Sequence, residues 1–419
     1  MESNVQLKNL TSKIGSGSTP KGGKATYLNS GPYKLIRSQN IYNHYYAPEG
    51  LAYITNEQAE KLKNVSLKKE DILINITGDS VARTTIVEND MLPGRVNQHV
   101  SIIRCKENLL DPYYLLAFLT SKNTQNYLLS LAQTGGTRAA LTKTMLEQIE
   151  IPLLSYENQT KIGTILKIIN EKIKTNNLTI LSLKKFSQIL FKHWFIDFEF
   201  PNEEGKPYKS NGGEMVDAKH KKIPKHWKVV SLIDLMDYQG GSQPPAKDFC
   251  YESIEGYIRL IQIRDYDTDK HITFVPKSNK LKTCENKDIM LARYGVSLGR
   301  ILFGLEGAYN VALAKVIPKK IYYREYLRSF LSTREFYETL NNMGERSVQA
   351  GFNKSSIKSF KAIVPEEDSL IQKYHSIIDG KIDTILLLEK ENKKLSELRD
   401  TLLPKLLSGE IEIPDELEV

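Results

Sequence analysis

Two segments of the chain carry apolar residues three and four apart over roughly five turns or more. In the first, Ile162, Ile165, Ile169, Ile173, Leu183, Phe186, Leu190 and Trp194 form one stripe. In the second, Ile371, Tyr374, Ile378, Ile382, Ile385, Leu395, Leu402 and Leu406 do the same. The spacing predicts coiled-coil helices from about Glu157 to Phe195 and from about Leu370 to Leu407. Neither helix can bury such a stripe alone, so the simplest partner for each is the other, in antiparallel pairing. Asn176 and Asn392 interrupt the stripes, either as polar breaks that fix register or as solvated bulges. A helix of about 40 residues spans roughly 60 Å, enough to hold two globular domains apart.

Ahead of each stripe the period changes. "DILINI", "DIMLARY", "VNQHVSIIRC" and "NVALAKVIP" read as strands. "PYYLLAFLTSKNTQNYLLSLA" and "REYLRSFLSTREFYETLNNM" each read as a helix, and "GSGSTPKGGK" and "QGGSQPPAKD" as loops. The fold class is α+β.

These segments occur in the same order twice. Asp71, Ile72, Gly78, Ser80 and Arg83 fall on Asp288, Ile289, Gly295, Ser297 and Arg300, all 217 apart. Tyr114, Leu115, Phe118 and Leu119 fall on Tyr326, Leu327, Phe330 and Leu331, 212 apart. "GSTP" ending at Pro20 sits on "GSQP" ending at Pro244, and "RAALTKTMLEQIEI" on "QAGFNKSSIKSFKA". "YKLIRSQN" from Tyr33 lies near "YIRLIQIR" from Tyr257, and five collinear matches predict an internal duplication with pseudo-twofold symmetry. The expected boundaries are globular domains at 1–153 and 225–365, long helices at 154–197 and 366–410, a polar linker at 198–224 and an acidic tail at 411–419.

Composition narrows the class. At 419 residues two or more domains are expected, and 40% hydrophobic with 26% charged residues is a soluble globular balance. No run of about 18 apolar residues predicts a membrane span, and the N-terminus shows no signal core. Three cysteines without CxxC spacing point away from disulfides and zinc and towards a reducing cytoplasm. A net charge of +8 suits a polyanionic partner.

Catalytic signatures are missing. "SQPPA" lacks the acidic or amide first residue and aromatic last residue of an amino-methyltransferase tetrad. "GSGSTPKGGKA" has the wrong glycine spacing for a phosphate-cradling loop. "EEGK" sits in the linker, and there is neither an HExxH nor a nucleophile elbow. A non-catalytic chain is expected.

"GGTRAALTKTMLEQIEIPLLSYENQTKIGTILKIINEKI", "LFKHWFIDFEFP", "LRDTLLPKLLSGEI" and the domain opening "PKHWKVVSLIDL" together resemble the DNA-specificity subunit of type I restriction-modification systems. The resemblance covers essentially the whole chain, with one departure at "IVPEEDSLIQKY", where the first copy has the fuller "IPLLSYENQTKI". It implies two tandem target-recognition domains, each reading half of a split double-stranded DNA target, and long helices that act as ruler and docking surface. It implies two copies of an adenine-methylating modification subunit as partners, with restriction subunits beyond them. S-adenosylmethionine, and ATP and magnesium for restriction, would then be bound by those partners and not by this chain. Ile162, Ile169, Phe186, Leu190, Phe191, Trp194, Ile378, Ile385, Leu395, Leu402 and Leu406 are the expected seam and docking residues.

Base edges are read by Arg, Asn and Gln, and phosphates by Arg, Lys, Ser and Thr. In the first domain the candidates are Arg37, Gln39 and Asn40; Thr77, Ser80 and Arg83; Asn97, Gln98 and His99; and Thr137, Arg138, Thr142 and Lys143. In the second they are Arg259, Gln262 and Arg264; Arg293, Tyr294, Ser297 and Arg300; Asn310; and Arg346, Gln349, Asn353 and Lys354. Each could instead be an ordinary surface or salt-bridge residue. Shared positions such as Arg83 and Arg300 suit phosphate, because they cannot distinguish two half-sites. Divergent positions, Gln39 against Arg264 or Arg138 against Gln349, suit bases. Two other readings remain open: a coiled-coil scaffold joining protein-binding domains, and a self-contained restriction enzyme.

Overall fold

The computed structural model describes residues 3–133, 139–218, 221–344, 354–407 and 410–412. It divides into two compact units, Met1–Thr175 with Glu391–Val419, and Asn176–Lys390. The division runs through both long helices.

In the first unit a four-stranded antiparallel sheet has the order Thr11–Ser16, Val100–Cys105, Ile72–Asn75, Thr84–Ile86. A three-stranded sheet places Tyr33–Ile36 between antiparallel Ala52–Ile54 and parallel Gly94–Val96. Ser3–Gln6 pairs with Glu150–Leu153 and ties the two ends of the globular part together. The sequence "DILINI" makes a strand because Ile72, Leu73 and Ile74 are apolar on both faces, and all three are fully buried. Asp71 fixes its entry: its carboxylate accepts from the Lys68 backbone N–H and takes Arg104 bidentately at 2.7 and 2.8 Å.

The second unit has the same arrangement. Its four-stranded sheet runs Met236–Gly240, Leu313–Pro318, Ile289–Ala292, Ile301–Leu302. Tyr257–Ile261 is again parallel to one neighbour, Gly307–Tyr309, and antiparallel to the other, Phe274–Pro276. Trp227–Ser231 pairs with Lys361–Pro365. Asp288 accepts from the Glu285 N–H, as Asp71 does from that of Lys68.

Four expectations change. Each predicted helix before the long ones is two helices, Pro112–Thr120 with Lys122–Gln133, and Arg324–Leu331 with Arg334–Gly344. The breaks are capping events: the Ser121 hydroxyl accepts from the Thr124 N–H, and that of Thr333 from the Phe336 N–H. The first long α-helix is Tyr156–Phe191, not a run to Phe195, and it ends in a π-turn over Lys192–Ile196. The wider turn lets the adjacent Trp194 and Phe195 both enter the core.

The inward face of that helix also differs from the predicted stripe. Phe186 is 43% exposed, and Ile165 is only partly buried. Ile162, Leu166, Ile169, Ile173, Asn176, Ile180, Leu183, Ser187, Leu190 and Trp194 are the buried or half-buried series. They alternate steps of four and three throughout. Polar Asn176 and Ser187 occupy two of its places, so counting apolar residues alone slips to Phe186. Finally, the linker is folded. Met215–Ala218 pairs with Lys221–Pro224, while Phe200 stacks on Trp227 and Tyr208 at 5.1 and 4.6 Å.

Each unit is closed by helix segments from both halves of the chain. In the first, Ile162 and Leu166 share a core with Leu403 and Leu406, with Leu402 packed against it. In the second, Ile180, Phe191, Trp194 and Phe195 share one with Ile371, Tyr374, Ile378, Ile382 and Ile385. The second long helix is Ser369–Leu407, and Leu395 on it is half-buried. Phe195 meets Tyr326 and Tyr374 edge-on at 5.0 and 5.1 Å. Phe191 and Trp194, expected on a docking face, are core residues instead.

Phe195→Ala is therefore expected to destabilise the second unit by about 3–5 kcal/mol, and Phe186→Ser to change stability by less than about 0.5 kcal/mol. Denaturant midpoints of the two variants check this; equal losses would show that Phe186 also belongs to the core.

Candidate nucleic-acid interface

Five loops of the first unit meet at one end of its sheets, and backbone hydrogen bonds hold them. Gly17 N–H donates to Asn97 O at 3.1 Å, and Asn97 N–H to Ile36 O at 3.2 Å. Ile76 N–H donates to His99 O at 2.9 Å, and Leu141 N–H to Ile76 O at 2.8 Å. The Asn97 side chain accepts from the His99 N–H and is itself buried. Gly17 is required by proximity: a Cβ there would sit 1.7 Å from Val96 O.

The second unit repeats two of these bonds, those of Asn97 and Ile76, and anchors its glycine three residues further along the facing loop. Gly241 N–H donates to Leu313 O, Asn310 N–H to Ile261 O at 3.1 Å, and Arg293 N–H to Ala312 O at 2.9 Å. The Asn310 side chain accepts from the Ala312 N–H at 3.2 Å. A Cβ on Gly241 would lie 2.1 Å from Asn310 O. The turns after Asn75 and Ala292 also coincide. Gly78 and Gly295 have φ of 78° and 66°, and Ser80 O and Ser297 O accept from Arg83 and Arg300 N–H. Only glycine takes such φ values without strain.

The side chains carried by this frame differ. In the first unit the Thr19 hydroxyl donates to Gln98 Oε1, Gln98 Nε2 donates to His99 Nε2 at 3.0 Å, and His99 Nδ1 meets Thr77 Oγ1 at 2.6 Å. Because His99 Nε2 accepts, the proton of the neutral ring is on Nδ1 and Thr77 accepts it. Gln98 is exposed and keeps one amide hydrogen and one oxygen lone pair beyond this chain, the pair of groups that matches adenine in the major groove. In the second unit the equivalent places hold Val311, Ala312 and Tyr294, with a fully exposed Val296 beside them. Arg293 lies over the Tyr294 ring at 5.1 Å.

Other candidates differ in what their side chains touch. Gln39 and Arg264 are exposed on matching short turns. The Arg37 guanidinium donates to Gly50 O, and Arg259 to Asp269 at 3.3 Å; Gln262 reaches Thr273 at 3.4 Å. Lys143 pairs with Glu147 at 3.5 Å, and Thr142 caps its helix by accepting from the Met145 N–H. Ser80 accepts from the Asn75 amide, and Ser297 is half-buried.

Asn40 corrects the expectation. It is fully buried, accepts from the Arg37 N–H, and donates to Ala47 O and Glu49 O, so it shapes the turn instead of reading DNA. Thr137, Arg138, Arg346, Gln349 and Asn353 lie outside the described residues, and Lys354 opens a described helix, Lys354–Ser359. The described residues Ala139 and Leu141 bond to Gly78 and Ile76 at this same end of the sheet.

Sequence reading missed the hairpin of Ile41–Tyr42 with Tyr45–Tyr46, beside the same turn. Its signal was the aromatic cluster in "NIYNHYY". Tyr42 and Tyr45 stack at 4.7 Å, and the Arg83 guanidinium lies over Tyr42 at 4.7 Å. At its tip His44 Nδ1 faces the Asn170 amide at 3.5 Å, and Arg399 donates to Asn170 Oδ1 at 3.1 Å. Among the described residues no cluster of His, Cys, Asp and Glu could hold a metal ion, and no helix is long and apolar enough to cross a membrane.

Residues 3–185 match the family described as the Type I restriction modification DNA specificity domain. The type I restriction enzyme MjaIX specificity subunit of Methanocaldococcus jannaschii is 25% identical, over 96% of this chain and 92% of its own. The HindI specificity subunit of Haemophilus influenzae is 22% identical, over 83% and 87%. A crystal structure of the type I restriction-modification S subunit from M. genitalium has the same fold, with a TM-score of 0.61 at 15% identity over 100% of this chain and 97% of that one.

The hairpin tip makes one stability prediction. Burial, reinforced by the Arg399 guanidinium, pushes the His44 imidazole down to about 3. The unfolded chain protonates near 6.5, so the folded state loses stability as pH falls from about 6.5 towards 3. His44→Asn, which tolerates the left-handed backbone at φ 69°, should flatten this part of the pH dependence. Denaturant midpoints measured from pH 7 to 4 check it; parallel curves would contradict a buried neutral imidazole.

Proposed function

We propose that the chain is a DNA-specificity subunit of a type I restriction-modification system, as the match of residues 3–185 to that family's DNA specificity domain suggests, that it reads a split double-stranded DNA target, one half-site per unit, and that it performs no catalysis itself. The observation that carries this reading is the loop frame, which shares in both units two backbone hydrogen bonds and an asparagine-closed turn while bearing different side chains. Two half-sites of different sequence require that combination of one platform with two sets of reading groups.

The two halves are duplicates, with target-recognition domains in 1–153 and 225–365 and paired coiled-coil spacers in 154–197 and 366–410. Residues 198–224 connect the copies, and 411–419 form a tail. Gln98, His99, Thr77, Gln39 and Arg138 read bases in the first half-site; Arg264, Arg293, Tyr294 and Gln349 read the second. Lys143, Lys354 and the serines of the two turns meet backbone phosphate. The exposed Leu178, Leu181, Phe186 and Ile189, which share one side of the first long helix, supply an apolar docking face for modification subunits. Those partners bring S-adenosylmethionine and the adenine pocket, and restriction subunits bring ATP and magnesium. The complex then acts on cytoplasmic DNA.

The test is methylation mapping. Co-expressed with its modification subunit, the chain should direct adenine methylation to a motif in two parts separated by a fixed gap. A continuous motif, or methylation unchanged without this chain, would overturn the reading and favour a scaffold. Gln98→Ala should relax one position in one half-site only, at about 1–3 kcal/mol of discrimination. Matched removal of seven residues from both spacers shortens them by about 10 Å, so the gap should shrink by about three base pairs.

A further inference from the structure

The arginine shared by the two turns is held in two chemically opposite ways. Arg83 lies with its guanidinium face on Tyr42, which stacks in turn on the half-exposed Tyr45. Stacking engages the face of a guanidinium and leaves its planar fork of N–H groups free. Among the described residues, no oxygen accepts from the Arg83 guanidinium and no carboxylate pairs with it.

In the second unit Asp267 stands in the place of Tyr42. The register follows from the turns themselves. Asn40 accepts from the Arg37 N–H at 3.2 Å, and Asp265 from the Gln262 N–H at 2.9 Å. Tyr42 and Asp267 each lie two residues beyond those anchors. The Asp267 carboxylate takes Nη1 and Nη2 of Arg300 at 3.0 and 2.8 Å. A phosphate would use that same bidentate geometry on the arginine fork. A DNA strand approaching Arg300 therefore meets a neutral pair with its anionic side included, whereas one approaching Arg83 meets an uncompensated cation. Both pairs are partly exposed, so neither is needed to close a core.

We propose that Arg83, presented on the Tyr42–Tyr45 stack, is a DNA phosphate contact, and that Asp267 acts as an internal phosphate mimic withholding Arg300 from the equivalent contact. The two units then grip the DNA backbone unequally, the first by one more phosphate at this position. The proposal rests on the DNA-reading function above.

The experiment measures binding of the full chain, in complex with its modification subunit, to a duplex carrying the mapped motif and to a scrambled duplex, across 50–200 mM salt. One phosphate contact contributes about 0.9 to the slope of log K against log salt, which over that fourfold range is about a 3.5-fold change in relative affinity. Arg83→Ala should lower the slope by that amount on both duplexes, and Arg300→Ala should leave it unchanged. Asp267→Asn should raise it by a similar amount, and this gain should vanish in the Arg300→Ala background. Melting temperatures of the variants confirm folding, and Arg83→Lys should restore part of the slope.

Equal losses for Arg83→Ala and Arg300→Ala would overturn the proposal, as would a gain from Asp267→Asn that persists without Arg300. Loss confined to the motif duplex would overturn the phosphate assignment in favour of a base contact. A wild-type complex with no salt-dependent DNA binding would instead overturn the functional reading, and this proposal with it.

Discussion

Each unit of this protein depends on an apolar helix surface that its own half of the chain does not complete. The first unit's core needs Leu403 and Leu406 from the far end of the chain. The second unit's core needs Phe191, Trp194 and Phe195 from the end of the first copy. An amphipathic helix of this length is stable mainly through the face it buries, so each long helix is held by what it packs against at both of its ends. That exchange explains why the chain closes each half with a similar helix end, "FSQILFKHWF" and "LRDTLLPKLL". Each end completes the core built by the other half, one with aromatic rings and the other with leucines. The π-turn at Lys192–Ile196 follows from the aromatic version, because two adjacent large rings must enter one core.

Elements carried by strong apolar periodicity were legible in the sequence. The strands around Ile72 and Ile289, and both long helices, rest on residues whose burial outweighs any local preference. What escaped was set by single polar side chains. Ser121 and Thr333 start new helices by N-capping, which interrupts no hydrophobic pattern. Asn176 and Ser187 occupy inward places on the first long helix, so the apolar count moved to Phe186, which faces solvent. Trp194 was placed on the right helix end, but its docking role was not, since a stripe cannot say which neighbour covers it.

The candidate interface shows the same division. The turn at Gly78, with its echo at Gly295, was visible because glycine at a tight turn leaves a residue-type signature. Asn40 looked like a reader and proved to be a strut, because an asparagine able to match adenine can equally satisfy backbone groups in a short turn. The Tyr42–Tyr45 hairpin went unread because stacked rings have no spacing rule in sequence. Arg83 and Arg300 were indistinguishable as letters. Only the neighbour two residues past each turn's anchor separates them, a tyrosine in one case and an aspartate in the other.

The frame itself explains how such divergence is tolerated. The loops of each unit are joined by main-chain bonds and by one asparagine, the buried Asn97 or the half-buried Asn310, whose side chain closes its own turn. Gly17 and Gly241 let the chain pass against a carbonyl where no side chain fits. At the tip residues these contacts use only the backbone and leave the tip side chains free to differ. Gln98 of one unit can therefore correspond to Val311 of the other, and Thr77 to Tyr294, without either change reaching a strand. A polar chain from Thr19 to Thr77 orders the tips of one unit, and an arginine–aromatic pair with exposed valines forms those of the other. Stability resides in the backbone frame and chemical identity at its edge, which is the separation a protein needs if one scaffold is to recognise two different sequences.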